Sequence, residues 1–138
     1  MTRLIIGTAQ FGMKYGIANS TGQPSESTIR AIIEHATENE MFYYDTAISY
    51  GSSEEVLGKI FYDLGIHQQV RVFTKIPKLA EASSLASILE HVDQSLSKLK
   101  IHQIFGLLLH SELDHSYLEE LSEIKGKGLC LSLIHIWR

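Results

Sequence analysis

Apolar residues run along the chain in two alternating rhythms. Four short segments are almost continuously apolar: "LIIG" (4–7), "MFYYD" (41–45), "VRVFTKI" (70–76) and "IFGLLLH" (104–110). Their length and their β-branched and aromatic content predict strands buried on both faces. Between them lie longer stretches in which apolar residues recur every three or four positions, the spacing of an amphipathic helix. In 25–36 these residues are Ile29, Ile32, Ile33 and Ala36. In 52–65 they are Val56, Leu57, Ile60, Phe61 and Leu64. In 83–100 they are Leu85, Ile88, Leu89, Val92, Leu96 and Leu99, and in 116–128 Leu118, Leu121 and Ile124.

The ends of these stretches carry matching signals. Ser25 follows Pro24 as an N-cap. Ser52 with Glu55, and Ser116 with Glu119, have the spacing of capping boxes, and Gly65 stops the second helix. The order β-α-β-α-β-α-β-α predicts a parallel sheet covered by helices. Two architectures use it, the doubly wound open sheet and the (β/α)8 barrel. Four units in 138 residues are about half of a barrel, which typically takes about 250 residues.

Composition narrows the function classes. Lys and Arg number 12 against 16 Asp and Glu, a net charge of −4, which argues against a nucleic-acid surface built on a basic patch. No apolar run approaches the about 18 residues that span a bilayer. The first residues, "MTRLIIGTAQ", lack the length of a secretory h-region. One cysteine, Cys130, allows no internal disulfide, and a cytoplasmic protein is the expectation. The glycine-rich "GTAQFGMKYG" (7–16) has neither the G-K-[ST] of a P-loop nor a G-x-G-x-x-G turn. His35, His67, His91, His102 and His115 show no H-x3-H pairing, so no metal site is expected.

The polar residues at the strand ends are the candidate chemistry. Thr8 follows the first strand, Asp45 ends the second, Lys75 lies near the end of the third and His110 ends the fourth. In a parallel sheet these ends share one rim, where barrel enzymes build their active sites. Tyr50 sits in the loop above the second strand. Each residue alone has a plain structural reading: a turn acid, a solvated lysine, a backbone-satisfied histidine, a packed aromatic. Together they suit one reaction. A phenol is a poor proton donor at neutral pH, an adjacent ammonium favours its phenolate, and a carboxylate holds the ammonium in place. With His110 orienting a substrate oxygen, Tyr50 would protonate an oxygen that is gaining negative charge, as in carbonyl reduction.

The same residues resemble the aldo-keto reductase superfamily. "LIIGTAQFG" resembles its first strand and loop, "YDTAISYGSSEEVLGK" its D-T-A…Y-G-x-S-E-x-x-L-G signature, "FTKIP" the strand bearing its lysine and "LLLH" the strand bearing its histidine. The resemblance runs from about Leu4 to about Gly128 and implies a (β/α)8 TIM barrel, of which about the first four βα units are present. It implies an NADPH-dependent oxidoreductase (NADH is the alternative cofactor) acting on a small-molecule aldehyde or ketone. Tyr50 is then the general acid, completed by Asp45, Lys75 and His110, with Thr8, Ala9 and Asp45 near the nicotinamide. Two other readings stay open: a barrel lyase or aldolase using Lys75 as a Schiff-base amine, and a non-catalytic nucleotide-binding regulatory subunit.

From about Leu129 the string "LCLSLIHIWR" departs from the family's usual I-G-V-S continuation. It is apolar enough to pass as a strand, but it reads as a translated sequencing adapter or a frame-shifted join. The expected division is a half-barrel over residues 1–128 and a non-family tail over 129–138, in a fragment that is inactive alone. A half-barrel leaves its first and fourth strands as open edges. Self-association through those edges, or low stability, is therefore expected. Sedimentation should show species larger than the monomer; a stable monomer that unfolds cooperatively would contradict this.

Overall fold

The computed structural model describes residues 4–78, 84–109 and 118–134. Five parallel strands form one sheet in sequential order: β1 (Ile5–Gly7), β2 (Tyr43–Asp45), β3 (Arg71–Ile76), β4 (Ile104–Leu109) and β5 (Cys130–Ile134). Helices fill the crossovers: α1 (Ala9–Gly12), α2 (Glu26–Glu38), α3 (Ser53–Asp63), α4 (Leu85–Leu99) and α5 (Leu118–Gly126). Sequential order in a parallel sheet means that every crossover advances by one strand. This is the winding of a (β/α)8 barrel and excludes the reversal that defines a doubly wound sheet.

The helices form where the periodicity predicts, with two differences at their starts. Ser25 caps α2 by accepting from the Thr28 amide at 3.2 Å. Ser52 holds the N-cap position of α3, but its side chain makes no cap bond and turns toward the Gly12 carbonyl at 3.5 Å. The reciprocal capping box appears instead on α4, between Ser84 and Ser87. Ser116 lies outside the described residues. The loop expected after β1 also contains a one-turn helix, α1.

Helix and sheet meet in two apolar clusters. The first joins Ile29 and Ile33 of α2, Leu57, Ile60 and Phe61 of α3, and Tyr44 and Val72 of the sheet. The second joins Ile88 and Val92 of α4, Leu121 and Ile124 of α5, and Ile76, Ile104 and Leu107. Ile32, expected on the buried stripe of α2, is 40% exposed, because the contact face of that helix is centred on Ile29 and Ile33. At Gly58 a Cβ would overlap the Lys98 carbonyl oxygen, so this glycine lets α3 and α4 approach backbone to backbone. Exposed ion pairs decorate the helix seams: Arg30 with Asp63 (2.6 Å), Lys59 with Glu26, and Lys98 with Glu55 (3.6 Å). Pairs this exposed contribute little to stability.

The opposite face of the sheet carries Tyr43, Phe73 and Phe105, with ring centroids 5.2–6.5 Å apart. These rings are only half-buried, because none of the described helices packs on that side. β1 is an edge of the sheet, with Leu4 60% and Ile5 53% exposed. β4 is not an edge: Cys130–Ile134 pairs with it in parallel, Leu107 opposite Leu133. The expected boundary after residue 128 is therefore not a boundary of the sheet.

Among the described residues Tyr44 is the largest fully buried side chain, packed on Phe61 at 4.8 Å between centroids. Burial pushes its phenol up to about 12, partly offset by a hydrogen bond with the Thr37 side chain. The folded state therefore keeps a proton that the unfolded chain releases near the ordinary value of about 10. Below pH 10 the group is neutral to stability. Between pH 10 and 12 it should lower the unfolding free energy by about 1.4 kcal/mol per pH unit. Urea titrations at pH 9 and 11 should show Tyr44→Phe lacking this part of the alkaline decline; an equal decline in both proteins would contradict the assignment.

Candidate active site

All described strands are parallel, so their C-terminal ends lie on one rim. The register sets what meets there. Asp45 pairs with Phe73 of β3, which places Lys75 two residues further toward the rim. The chain beyond β2 keeps pairing: Thr46 donates to the Phe73 carbonyl (2.8 Å) and Ile48 to that of Lys75 (3.1 Å). The backbone thus delivers Lys75 beneath the segment that leads to Tyr50.

The Lys75 ammonium makes three hydrogen bonds: to Asp45 Oδ1 at 2.6 Å, Asp45 Oδ2 at 2.8 Å and the Thr46 carbonyl at 3.2 Å. Its side chain is 14% exposed and that of Asp45 34%, so the pair is partly shielded and stronger than a surface pair. The same ammonium stands 5.2 Å from the centre of the Tyr50 ring, within cation–π range. Asp45 and Lys75, expected at strand ends, are bonded, and Tyr50, expected in the loop above, meets the ammonium with its ring.

The loop that carries Tyr50 is pinned on both sides. Tyr50 donates to the Ala47 carbonyl (3.0 Å) and accepts from the Ser53 amide (3.1 Å). Gly51 adopts a positive φ of 57°, the conformation glycine tolerates best. On the other side lies α1. A Cβ on Gly12 would overlap the Tyr50 carbonyl oxygen and the Ser53 amide nitrogen, so only glycine permits this contact. Ser52 completes it by donating to the Gly12 carbonyl at 3.2 Å.

These elements enclose a cleft of about 350 Å³ lined by Gly7, Thr8, Ala9, Gln10, Phe11, Tyr15, Asp45 and Tyr50. The Tyr15 ring lies 6.1 Å from that of Tyr50 and forms one wall. Thr8, Ala9 and Asp45, expected near a nicotinamide, all line it. Thr8 contributes shape rather than a free donor: it is fully buried and its hydroxyl bonds the Asp45 carbonyl at 2.9 Å. The volume lies at the lower end of small-molecule sites. His110 lies outside the described residues. Among the described residues no cluster of three or more His, Cys, Asp and Glu is grouped to hold a metal, and no helix is long and apolar enough to cross a membrane.

Single-residue reading of the strand ends missed the support beneath them. Thr46, Ser53, Glu54 and Thr74 are buried and joined by hydrogen bonds: Thr46 to Ser53 at 3.1 Å, Ser53 to Thr8 Oγ1 at 2.9 Å and Thr74 to Glu54 at 2.7 Å. Three of them stand inside "DTAISYGSSE". A buried hydroxyl leaves no periodicity of its own, and the pairings span as many as 45 residues.

The model of the aldo/keto reductase family matches residues 3–132 of this chain. Among solved structures, a Pseudomonas aeruginosa protein classed as an aldo-keto reductase superposes with a TM-score of 0.81 at 26% identity, covering 97% of this chain and 55% of its own. An aldo-keto reductase from Bacillus halodurans, solved in its holo form, aligns with a TM-score of 0.73 at 24% identity, over 97% of this chain and 46% of its own. The chain spans about half the length of these structures. Its sequential parallel sheet is part of a (β/α)8 barrel, and the chain belongs to the aldo/keto reductase family.

Proposed function

We propose that this chain carries the proton-donating part of a carbonyl reductase site, in an NAD(P)H-dependent oxidoreductase that converts an aldehyde or ketone to an alcohol. The observation that carries the reading is the Lys75 ammonium, bound by both Asp45 oxygens while it stands over the Tyr50 ring.

Each residue then has a task. Tyr50, half-buried at the cleft, gives its phenolic proton to the carbonyl oxygen as negative charge develops there. The phenolate left behind is stabilised by the Lys75 charge, which sits in place before the reaction. Asp45 fixes that charge, so that little reorganisation is needed when the proton moves. His110 orients the carbonyl oxygen by hydrogen bond. A bound nicotinamide cofactor, NADPH or NADH, supplies the hydride that the carbonyl carbon accepts. Ala9 and Asp45 border the cleft end nearest that chemistry, and Thr8 shapes it from below. Tyr15 and Phe11 give the cleft apolar walls suited to the body of a small carbonyl compound.

The engagement of Lys75 weighs against a Schiff-base role. A nucleophilic amine must be neutral and free, whereas this one spends three hydrogen bonds on Asp45 and the Thr46 carbonyl.

Activity is expected of a protein with the full barrel length of the relatives that carries residues 4–128 of this chain, and not of these 138 residues alone. In that protein NADPH oxidation with a panel of aldehydes should fall about 10²- to 10⁴-fold in Tyr50→Phe. Undiminished turnover by Tyr50→Phe would remove Tyr50 as the acid.

A further inference from the structure

Three buried threonines sit at the rim ends of three successive strands. Thr8 follows β1, Thr46 follows Asp45 of β2, and Thr74 precedes Lys75 in β3. All three are bonded to two adjacent residues in the first turn of α3. Ser53 Oγ contacts Thr8 Oγ1 (2.9 Å) and the Thr8 carbonyl (3.0 Å), and it accepts from Thr46 Oγ1 at 3.1 Å. Thr8 Oγ1 passes the chain on to the Asp45 carbonyl at 2.9 Å. Glu54 Oε1 accepts from Thr74 Oγ1 at 2.7 Å. The Ser53 amide also donates to the Tyr50 carbonyl at 3.1 Å.

One turn of one helix is therefore bonded to the loop of the proposed acid and to the residue beside its lysine, and it reaches the carbonyl of the carboxylate neighbour through Thr8. We propose that Ser53 and Glu54 are positioning residues, setting where Tyr50 stands relative to Lys75 and Asp45. This rests on the reading of Tyr50 and Lys75 as the reacting pair.

The physical case is one of directionality. Apolar packing is non-directional and lets a helix slide on a sheet with little penalty. Hydrogen bonds between buried groups are directional and strong in a low dielectric, and each broken one leaves a costly orphan. Burying a carboxylate against a hydroxyl carries a desolvation penalty that an alanine would avoid. That penalty falls at a helical turn bonded at the ends of all three strands of the site, where small misplacements reduce rate. Ser53 and Glu54 are almost fully buried themselves, so their effect on chemistry passes through Tyr50, Lys75 and Asp45.

The Lys75 amine reports on this directly in the 138-residue chain. Reductive methylation with ¹³C-formaldehyde, followed by NMR, gives its reaction rate relative to exposed Lys127 in the same sample. Thr74→Val, which removes the hydroxyl with little change of shape, and Glu54→Ala should each raise the relative rate about five-fold or more, as expected for directly coupled neighbours. Glu54→Gln keeps an acceptor for Thr74 and should stay within about two-fold of the parent. Urea midpoints measured alongside separate loosening at the site from global unfolding. A relative rate unchanged in Thr74→Val overturns the proposal, even where stability falls; so does a rise in Glu54→Gln equal to that in Glu54→Ala. If Glu54→Ala does not fold, Thr74→Val decides alone. Failure of the reductase reading shows elsewhere, as turnover retained by Tyr50→Phe, and leaves the Lys75 rates unaffected.

Discussion

The site depends on an ammonium that has almost no freedom. Lys75 is bound by both oxygens of Asp45 and by the Thr46 carbonyl, and its charge lies over the Tyr50 ring. A long, flexible side chain would ordinarily lose much of its value to rotamer entropy. Here the loss is met during folding, because the partners come from a neighbouring strand whose register with β3 is set by backbone hydrogen bonds. Everything around the pair serves that register: the core that presses α3 on the sheet, the glycine that lets α1 touch the Tyr50 loop, and the hydroxyls beneath the rim.

The two faces of the sheet answer different demands. Toward the helices, Tyr44, Val72, Ile76 and Leu107 are buried in closed apolar clusters. On the other face, Tyr43, Phe73 and Phe105 contact one another but stay half-buried. In a closed barrel such side chains form packed layers across the axis. The relatives are about twice as long as this chain, and their remaining units are where partners for these rings would come from. The aromatic layer and the rim that holds Asp45 and Lys75 are thus parts of the same face at different heights.

β5 closes the edge of β4, and the family model matches this chain through residue 132. The two strands pair in register from Ile104 opposite Cys130 to Leu108 opposite Ile134. Nothing in the proposed site uses a residue beyond Gly128, so the function argued above does not depend on what those residues are.

Most of the fold was legible in the chain itself. Alternating strand and helix rhythms, each with its stops, determined a parallel α/β protein, because burial on one helical stripe or on both strand faces leaves a period in the sequence. The spacing in "YDTAISYG" and the position of Lys75 also pointed to one rim, since parallel strands must end on the same side, whereas His110, expected beside them, lies outside the described residues. Other features required the folded backbone. The order β1-β2-β3-β4-β5, which selects barrel winding over the doubly wound sheet, is a matter of strand neighbours and leaves no local pattern. Ser52 looked like a cap and became a link to Gly12, because a neighbouring backbone offered it a carbonyl that an isolated helix lacks. Ile32 kept helical spacing yet stayed 40% exposed, since which part of an apolar stripe is buried depends on where the sheet lies. The bonds from Ser53 and Glu54 to Thr8, Thr46 and Thr74 could be decided only in three dimensions, because hydrogen bonds between buried polar groups follow proximity in space and not position in the chain.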